Sequence, residues 1–268
     1  MSDAEDPQRE ITRVALRSLD GTSFVLAGSG AIREHGLVDR PTEDVDLFTS
    51  DVDLPRFSSA VDAVVLGLRE AGHNVAELRR VDQFARLEVT TVDGHQVDID
   101  MGVDWRQAEP DVLAIGPVLS LEDAVGNKLS ALYSRAYARD FLDVDSIRAS
   151  GKFTDAELIR SAIERDPGFE VPMFVRQLEL VHRVLPEQVS QYNVNADQLD
   201  AIKNRFDMWA STLVEEISDL DESAERVQRF VNLDHPLRGG DLAQKPRAAP
   251  RPEDYGQVNR TRDTGLGR

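Results

Sequence analysis

The sequence predicts an α+β fold in which a part with both helices and strands precedes an all-helical part. Up to about residue 118, short apolar runs typical of strands alternate with segments of helical periodicity. From there to about residue 220 the pattern is helical throughout. We therefore expect an α/β domain at residues 1–118 and a helical domain at 119–238. Beyond them, Gly, Pro and Arg accumulate at 239–268, which indicates a flexible tail.

Periodicity and turn residues place the elements of the first domain. A helix is expected around residues 11–19, and Pro55 suits the first turn of another helix. Two strand-like runs flank Asp93-Gly94, a strong hairpin signal. The expected strands are 24–27, 45–48, 85–92 and 96–101, and a short helix is expected from Ala31 to about His35.

Capping patterns mark helix starts in the second domain. Ser120 and Thr154 each stand three residues before an acidic residue, as in a capping box. Asn195 is expected to open a long helix that ends near Ser218.

The composition excludes several classes of protein and of metal site. The 268 residues are 41% hydrophobic, enough to bury a core, and contain no run long and apolar enough for a membrane helix. The absence of cysteine excludes disulfides and thiolate metal sites. We expect a soluble cytoplasmic protein with no membrane partner. The net charge of -18 opposes nucleic-acid binding unless positive charge is concentrated locally or metal ions offset the repulsion.

Asp44 and Asp46 are the first candidate metal ligands. Residues two apart on a strand point to the same face, so both carboxylates should project together while Val45 turns into the core. Two adjacent carboxylates repel each other unless a cation lies between them. Mg²⁺ commonly combines one or two carboxylates with substrate phosphates. The alternative is an ordinary solvated strand edge, since Asp-x-Asp is a common pattern.

Two further features support a phosphate-handling site. Gly28 and Ser29 stand at a predicted strand-to-helix junction, where glycine allows close approach of a phosphate and the hydroxyl can donate to it. On the strand at 96–101, Asp98 and Asp100 share one face, and either could supply a third carboxylate to a two-metal site. We favour Asp100, although spacing alone leaves Asp98 open.

The helical domain supplies candidate cations. If one helix continues through them, Lys128, Arg135 and Arg139 share a face and form a local basic stripe. Asp140 and Asp143 follow and could orient these cations by charge-assisted hydrogen bonds. A solvated helix face with compensating charges explains the same pattern equally well.

Two blocks of sequence resemble a known family. The first runs from Leu26-Ala27-Gly28-Ser29-Gly30-Ala31 to Arg40-Pro41-Thr42-Glu43-Asp44-Val45-Asp46-Leu47 and looks like the opening of the nucleotidyltransferase superfamily. The second comprises Leu121-Glu122-Asp123, Lys128-Leu129-Ser130-Ala131-Leu132 and Arg135 through Arg139-Asp140-Phe141-Leu142-Asp143. Together they resemble the AbiEii/AbiGii toxin family, which includes the MenT-type toxins. The resemblance covers roughly residues 20–150.

The resemblance implies a small mixed-sheet nucleotidyltransferase domain with flanking helices, followed by a helical domain. It also implies an NTP substrate, Mg²⁺ (or Mn²⁺), and a separately encoded antitoxin. Some members of the family add nucleotides to the 3′ end of tRNA, so an RNA acceptor is expected.

The family's functional residues carry over to positions that match its motifs. Asp44 and Asp46 are the implied metal ligands, and Asp100 is the third ligand that we favour from the strand pattern. Gly28, Ser29 and Lys128 are the implied triphosphate contacts, with Arg135 and Arg139 beside them. The implied catalytic residues are Asp44, Asp46, Lys128, Asp140 and Asp143.

Two other functions remain open at the level of sequence. The first is nucleotidyl transfer to a small molecule or a protein hydroxyl, and an acidic surface would suit a cationic acceptor. The second is a non-catalytic nucleotide-binding module. Such a module would be expected to have lost a paired aspartate or the Gly-Ser turn, and this chain retains both.

Overall fold

A computed structural model describes residues 7–42 and 44–233 of the chain, with side chains up to residue 219. The described residues up to 221 belong to one compact unit, and 222–233 belong to a second. The predicted tail at 239–268 lies outside the described residues. The boundary near residue 118 remains a prediction as a domain division, although the last strand ends there and the next helix starts at Leu121.

Seven strands of the described residues form one mixed sheet, which agrees with the predicted fold class. The strands are β1 Val25–Leu26, β2 Asp44–Thr49, β3 Asn74–Val81, β4 Phe84–Thr90, β5 Gln96–Val103, β6 Asp111–Leu113 and β7 Gly116–Val118. Their order across the sheet is β3-β4-β5-β2-β1-β7-β6. Strand β2 pairs in parallel with β5 and antiparallel with β1, while β3, β4 and β5 form an antiparallel meander.

Nine α-helices occur in the described part of the chain. Helix α1, Pro7–Ser18, precedes the first strand, and two helices lie among the strands: α2 Gly28–Glu34 and α3 Leu54–Glu70. The others follow the sheet: α4 Leu121–Ser134, α5 Ala138–Ala149, α6 Asp155–Arg165, α7 Val171–Glu179, α8 Pro186–Val189 and α9 Ala196–Leu233. The predicted caps are present, since Ser120, Thr154 and Asn195 each accept a backbone N–H three residues on.

One apolar core joins the sheet to the helices that follow it. Buried side chains run from Ile11 in α1, through Leu47 and Ile99 in the central strands, to Leu129 in α4 and Trp209 in α9. Since α2 and α4 pack on each other and α2 packs on β2, residues distant in sequence are fixed beside the central strands.

Several predictions from the sequence were wrong in detail. Helix α2 begins at Gly28 rather than at Ala31, and α9 extends past Ser218 to Leu233. The single helix assumed to carry Lys128, Arg135 and Arg139 is two helices, because the chain turns between α4 and α5. Ala136 adopts a left-handed conformation there, with φ of 49°.

Candidate active site

Three carboxylates meet at the centre of the sheet. In the parallel pairing of β2 with β5, Asp44 lies opposite Asp98 and Asp46 lies opposite Asp100. Every second residue of β2 is buried, so Val45 and Leu47 anchor the strand and both aspartates project from its other face. Oxygen atoms of Asp44, Asp46 and Asp100 lie within 4.8 Å of one another. This geometry favours Asp100 over Asp98 as the third member.

The carboxylates suit a divalent cation electrostatically. Burial and the charges of Asp44 and Asp100 raise the pKa of Asp46 to about 7, even though Lys128 and Arg139 act in the opposite direction. The charges of Lys128 and Arg139 therefore do not offset the burial and the two neighbouring carboxylates, and a bound cation would relieve this repulsion. Oxygen ligands on neighbouring strands are the donors that Mg²⁺ and Mn²⁺ bind. The donor set therefore fits such an ion.

Gly28 leaves room for one of these carboxylates. Its φ is 57°, and a Cβ atom built on it would lie 1.7 Å from Oδ2 of Asp46. Any side chain at this position would therefore displace Asp46. Glycine was expected here because it admits a phosphate, and the structure adds a requirement set by the protein's own carboxylate.

A second cluster is buried beside the first one. The hydroxyl of Ser29 donates to Oδ2 of Asp143 at 3.1 Å and accepts from Nζ of Lys128 at 2.7 Å. The Lys128 ammonium also pairs with Asp143 at 2.8 Å, and its side chain is only 7% exposed. Lys128 therefore lies inside the protein, and the alternative of a solvated helix face is wrong for this residue.

Sequence reasoning missed Arg40 as a member of this cluster. Its Nε donates to Oδ1 of Asp143 at 2.7 Å, and one Nη donates to Oδ2 at 2.8 Å. The same Nη lies 3.0 Å from Oγ of Ser29. Burial raises the pKa of Asp143, but the charges of Lys128 and Arg40 outweigh it and hold that pKa below its ordinary value. Asp143 is thus an anion that fixes two cations.

The turn between α4 and α5 carries further cations near the carboxylates. Asp140 accepts two hydrogen bonds from Arg135, at 2.9 and 3.0 Å, and one from the backbone N–H of Tyr137. The guanidinium of Arg135 lies over the Tyr137 ring. Arg139 is close enough to Asp46 to lower its pKa. Asp140 and Asp143 thus hold different cations, and neither belongs to the carboxylate triad.

The Gly28 contact gives a direct test of the triad's geometry. We expect Gly28→Ala to lower turnover roughly tenfold to a hundredfold, because it displaces a carboxylate by a distance that costs about that much in an active site. Gly36→Ala is the matched control, since Gly36 has a similar φ of 72° but a Cβ atom built on it would meet nothing within 4 Å. Equal turnover in the two variants, with both folded by circular dichroism, would contradict the assigned contact.

A protein family and several solved structures are similar to this chain. A family model described as "Nucleotidyl transferase AbiEii toxin, Type IV TA system" matches residues 11–232. No curated protein sequence matches the chain significantly. No helix in residues 7–42 and 44–233 has the length and apolar character needed to cross a membrane.

Solved structures share the fold at low sequence identity. A putative nucleotidyltransferase from H. pylori is similar at 17% identity and a TM-score of 0.50, covering 82% of this chain and 99% of that chain. MenT4, a nucleotidyltransferase toxin from Mycobacterium tuberculosis H37Rv, is similar at 17% identity and a TM-score of 0.51. That match covers 74% of this chain and 80% of the other.

Proposed function

We propose that this chain, which belongs to the AbiEii nucleotidyltransferase toxin family of type IV toxin–antitoxin systems, transfers a nucleotide from an NTP to an RNA. Membership of the family makes the chain a nucleotidyltransferase and implies an NTP substrate and an antitoxin partner. The divalent cation, the RNA acceptor and the residue roles are our proposals. The observation that carries them is the triad of carboxylates beside a buried lysine that is ion-paired with Asp143.

Asp44, Asp46 and Asp100 would hold the cation, Mg²⁺ or Mn²⁺. When bound, such an ion neutralises charge on phosphoryl oxygens and orients the triphosphate. Gly28 keeps the Asp46 carboxylate in place by presenting no side chain to it. Cations that face a developing negative charge stabilise it most when they are already fixed before the reaction.

Lys128 and Ser29 are the proposed triphosphate contacts. Asp143 holds the Lys128 ammonium at 2.8 Å, so little side-chain entropy remains to be lost when a phosphate arrives. Arg135, fixed by Asp140, and Arg139 extend the positive charge along the turn between α4 and α5. We assign Asp140 and Asp143 as positioning residues that act through these cations.

The reaction is a displacement at phosphorus. The acceptor hydroxyl oxygen bonds to the α-phosphorus, the bond to the bridging oxygen breaks, and pyrophosphate leaves while the hydroxyl proton passes to water. For an RNA acceptor we propose the 3′ end of tRNA, the acceptor that the family resemblance implies for some members. The chain's own contribution is to orient the two substrates and to balance charge.

The acceptor can be identified by following the label. Each NTP, labelled at the α-phosphate, is incubated separately with the protein, Mg²⁺ and either total RNA, a cytosolic protein fraction or a small-molecule extract. We expect label in tRNA-sized RNA, and none with Asp46→Asn or in EDTA. Label in protein or in small molecules instead would favour transfer to those acceptors, for which the chain's acidity is a supporting observation.

A further inference from the structure

The sheet face beyond the carboxylates has a distinct layout. Residues paired across strands share a face of the sheet. The register therefore orders the side chains of this face in three rows that run from β2 towards β3: an acidic row, a middle row and an apolar row. The middle row leads from acidic to basic side chains, and the row beside it is apolar. The middle row is Asp46, Asp100, Arg86 and Arg79, and the apolar row is Phe48, Gly102, Phe84 and Val81.

The basic residues of these rows are exposed, and the aromatic residues Phe84 and Phe48 are half-buried. The Arg86 side chain is 45% exposed, and its Nε donates to Asp100 at 2.6 Å. Arg79 is exposed, and its guanidinium lies 5.8 Å from the centre of the Phe84 ring. Val81 is also exposed. Helix α3 packs behind this edge of the sheet, where the neighbouring Arg80 contacts Asp62.

The position of this surface relative to the phosphate-binding cluster assigns its role. Ser29 and Lys128 belong to α2 and α4, which follow β1 and β7, the strands on the other side of β2 from β5. The rows extend from β2 in the other direction, through β5 and β4 to β3. With the triphosphate on one side of the carboxylates, an acceptor hydroxyl has to arrive from the other side. The rows on β5, β4 and β3 lie on that side.

We propose that Arg79, Arg86, Phe84 and Phe48 form a platform that binds the single-stranded 3′ end of the acceptor RNA. Single-stranded RNA is recognised by stacking of its bases on aromatic rings and arginine planes, with cations at its phosphates. The Arg79–Phe84 pair offers such a stacking surface. The platform spans two strand spacings beyond β5, about 10 Å, which is room for only the last few nucleotides.

The charge pattern also indicates the path of the RNA strand across this face. On the opposite side of the middle row lies an acidic row of Asp44, Asp98 and Glu88. Phosphates would be repelled there and attracted by Arg79 and Arg86. In a chain of net charge -18, Arg79 supplies positive charge on this face for an RNA phosphate, while Arg86, which is ion-paired with Asp100, adds a guanidinium plane beside it. The platform rests on the proposed function in taking RNA as the acceptor.

Binding and turnover measured separately test the platform. The probe is a fluorescent single-stranded RNA with a free 3′ hydroxyl, titrated with the full chain in Mg²⁺ without NTP. We expect Arg79→Ala and Phe84→Ala to weaken its binding roughly tenfold, the scale of losing one stacking contact. The KM for RNA should rise while kcat and the affinity for NTP stay unchanged. Arg80→Ala is the matched control, since this adjacent arginine lies on the opposite face.

The outcomes separate this inference from the proposed function. If RNA binds through the platform but no NTP label is transferred to it, the proposed function fails and the platform stands. If label is transferred but Arg79→Ala and Phe84→Ala bind RNA as tightly as the wild type, the platform is overturned. An equal loss in Arg80→Ala, or no binding of RNA by the wild type, also overturns it. Since Arg79 is exposed, its variant keeps the test valid even if Phe84→Ala unfolds.

Discussion

Asp46→Asn should reduce nucleotidyl transfer to a small residue and raise the stability of the metal-free protein. Asp46 is the carboxylate at the centre of the triad, between Asp44 and Asp100. A divalent ion contributes several kcal/mol to phosphoryl transfer, so losing its ligand should lower turnover on the order of 1,000-fold. Turnover is measured with α-labelled NTP under saturating Mg²⁺.

The stability change has a predicted pH dependence. The pKa of Asp46 is raised to about 7 in the folded protein by burial and by its neighbouring carboxylates, from an ordinary value of 3.8. Between these values the folded chain holds a proton that the unfolded chain has released, so stability falls as pH rises and the full cost is present above about 7. Below pH 3.8 the two states are equally protonated and the cost is absent.

Thermal unfolding in EDTA measures this cost. The melting temperature of Asp46→Asn should exceed that of the wild type by several degrees at pH 8, by less at pH 6, and not at all near pH 4. In a chain of this size ~1 kcal/mol corresponds to about 2–4 °C. Added Mg²⁺ should raise the melting temperature of the wild type alone. A variant that is less stable than the wild type at pH 8 would contradict the electrostatic account of the triad.

Lys128→Ala should lower turnover by roughly 100- to 1,000-fold, the scale of losing one preorganised charge at a reacting phosphate. The variant should also be less stable, because Asp143 loses one of its two buried cations and keeps only Arg40. Turnover is therefore measured well below the melting temperature and expressed per folded molecule. Lys128→Arg should restore activity only in part, since a planar guanidinium does not replace a compact ammonium.

Lys152→Ala is the control for Lys128, because Lys152 is exposed and lies outside the proposed site. It should leave both turnover and melting temperature close to the wild-type values. If the folded fraction of Lys128→Ala transfers nucleotide at the wild-type rate, then α4 supplies structure and no phosphate contact. The structural role of the Lys128–Asp143 pair would survive that result, whereas its proposed catalytic role would not.

Local pattern was enough to predict the carboxylate strand. The alternation of Asp44, Val45, Asp46 and Leu47 encodes a buried face and a carboxylate face, and the structure has both. The hairpin at Asp93-Gly94 was likewise predicted from its turn residues and forms between β4 and β5. Such features depend on residues within a few positions of each other, so they can be predicted from a single sequence.

Features set by distant contacts were not predictable in this way. Arg40 is 103 residues from Asp143, and nothing local distinguishes it from a surface arginine. The break between α4 and α5 depends on a left-handed Ala136, a residue that gives no turn signal. Strand β3 escaped notice because it is an edge strand whose residues are almost all exposed, so no alternation of polar and apolar residues marks it.

We propose above all that this chain transfers the nucleoside monophosphate group of an NTP to an RNA hydroxyl. Asp44, Asp46 and Asp100 hold the required cation. The most direct measurement compares two parallel reactions with total RNA and Mg²⁺, one with label in the α-phosphate and one with label in the γ-phosphate. We expect α-label in RNA, with one pyrophosphate released for each nucleotide added, and no γ-label in RNA. Incorporation of γ-label, or of neither label, would contradict the account.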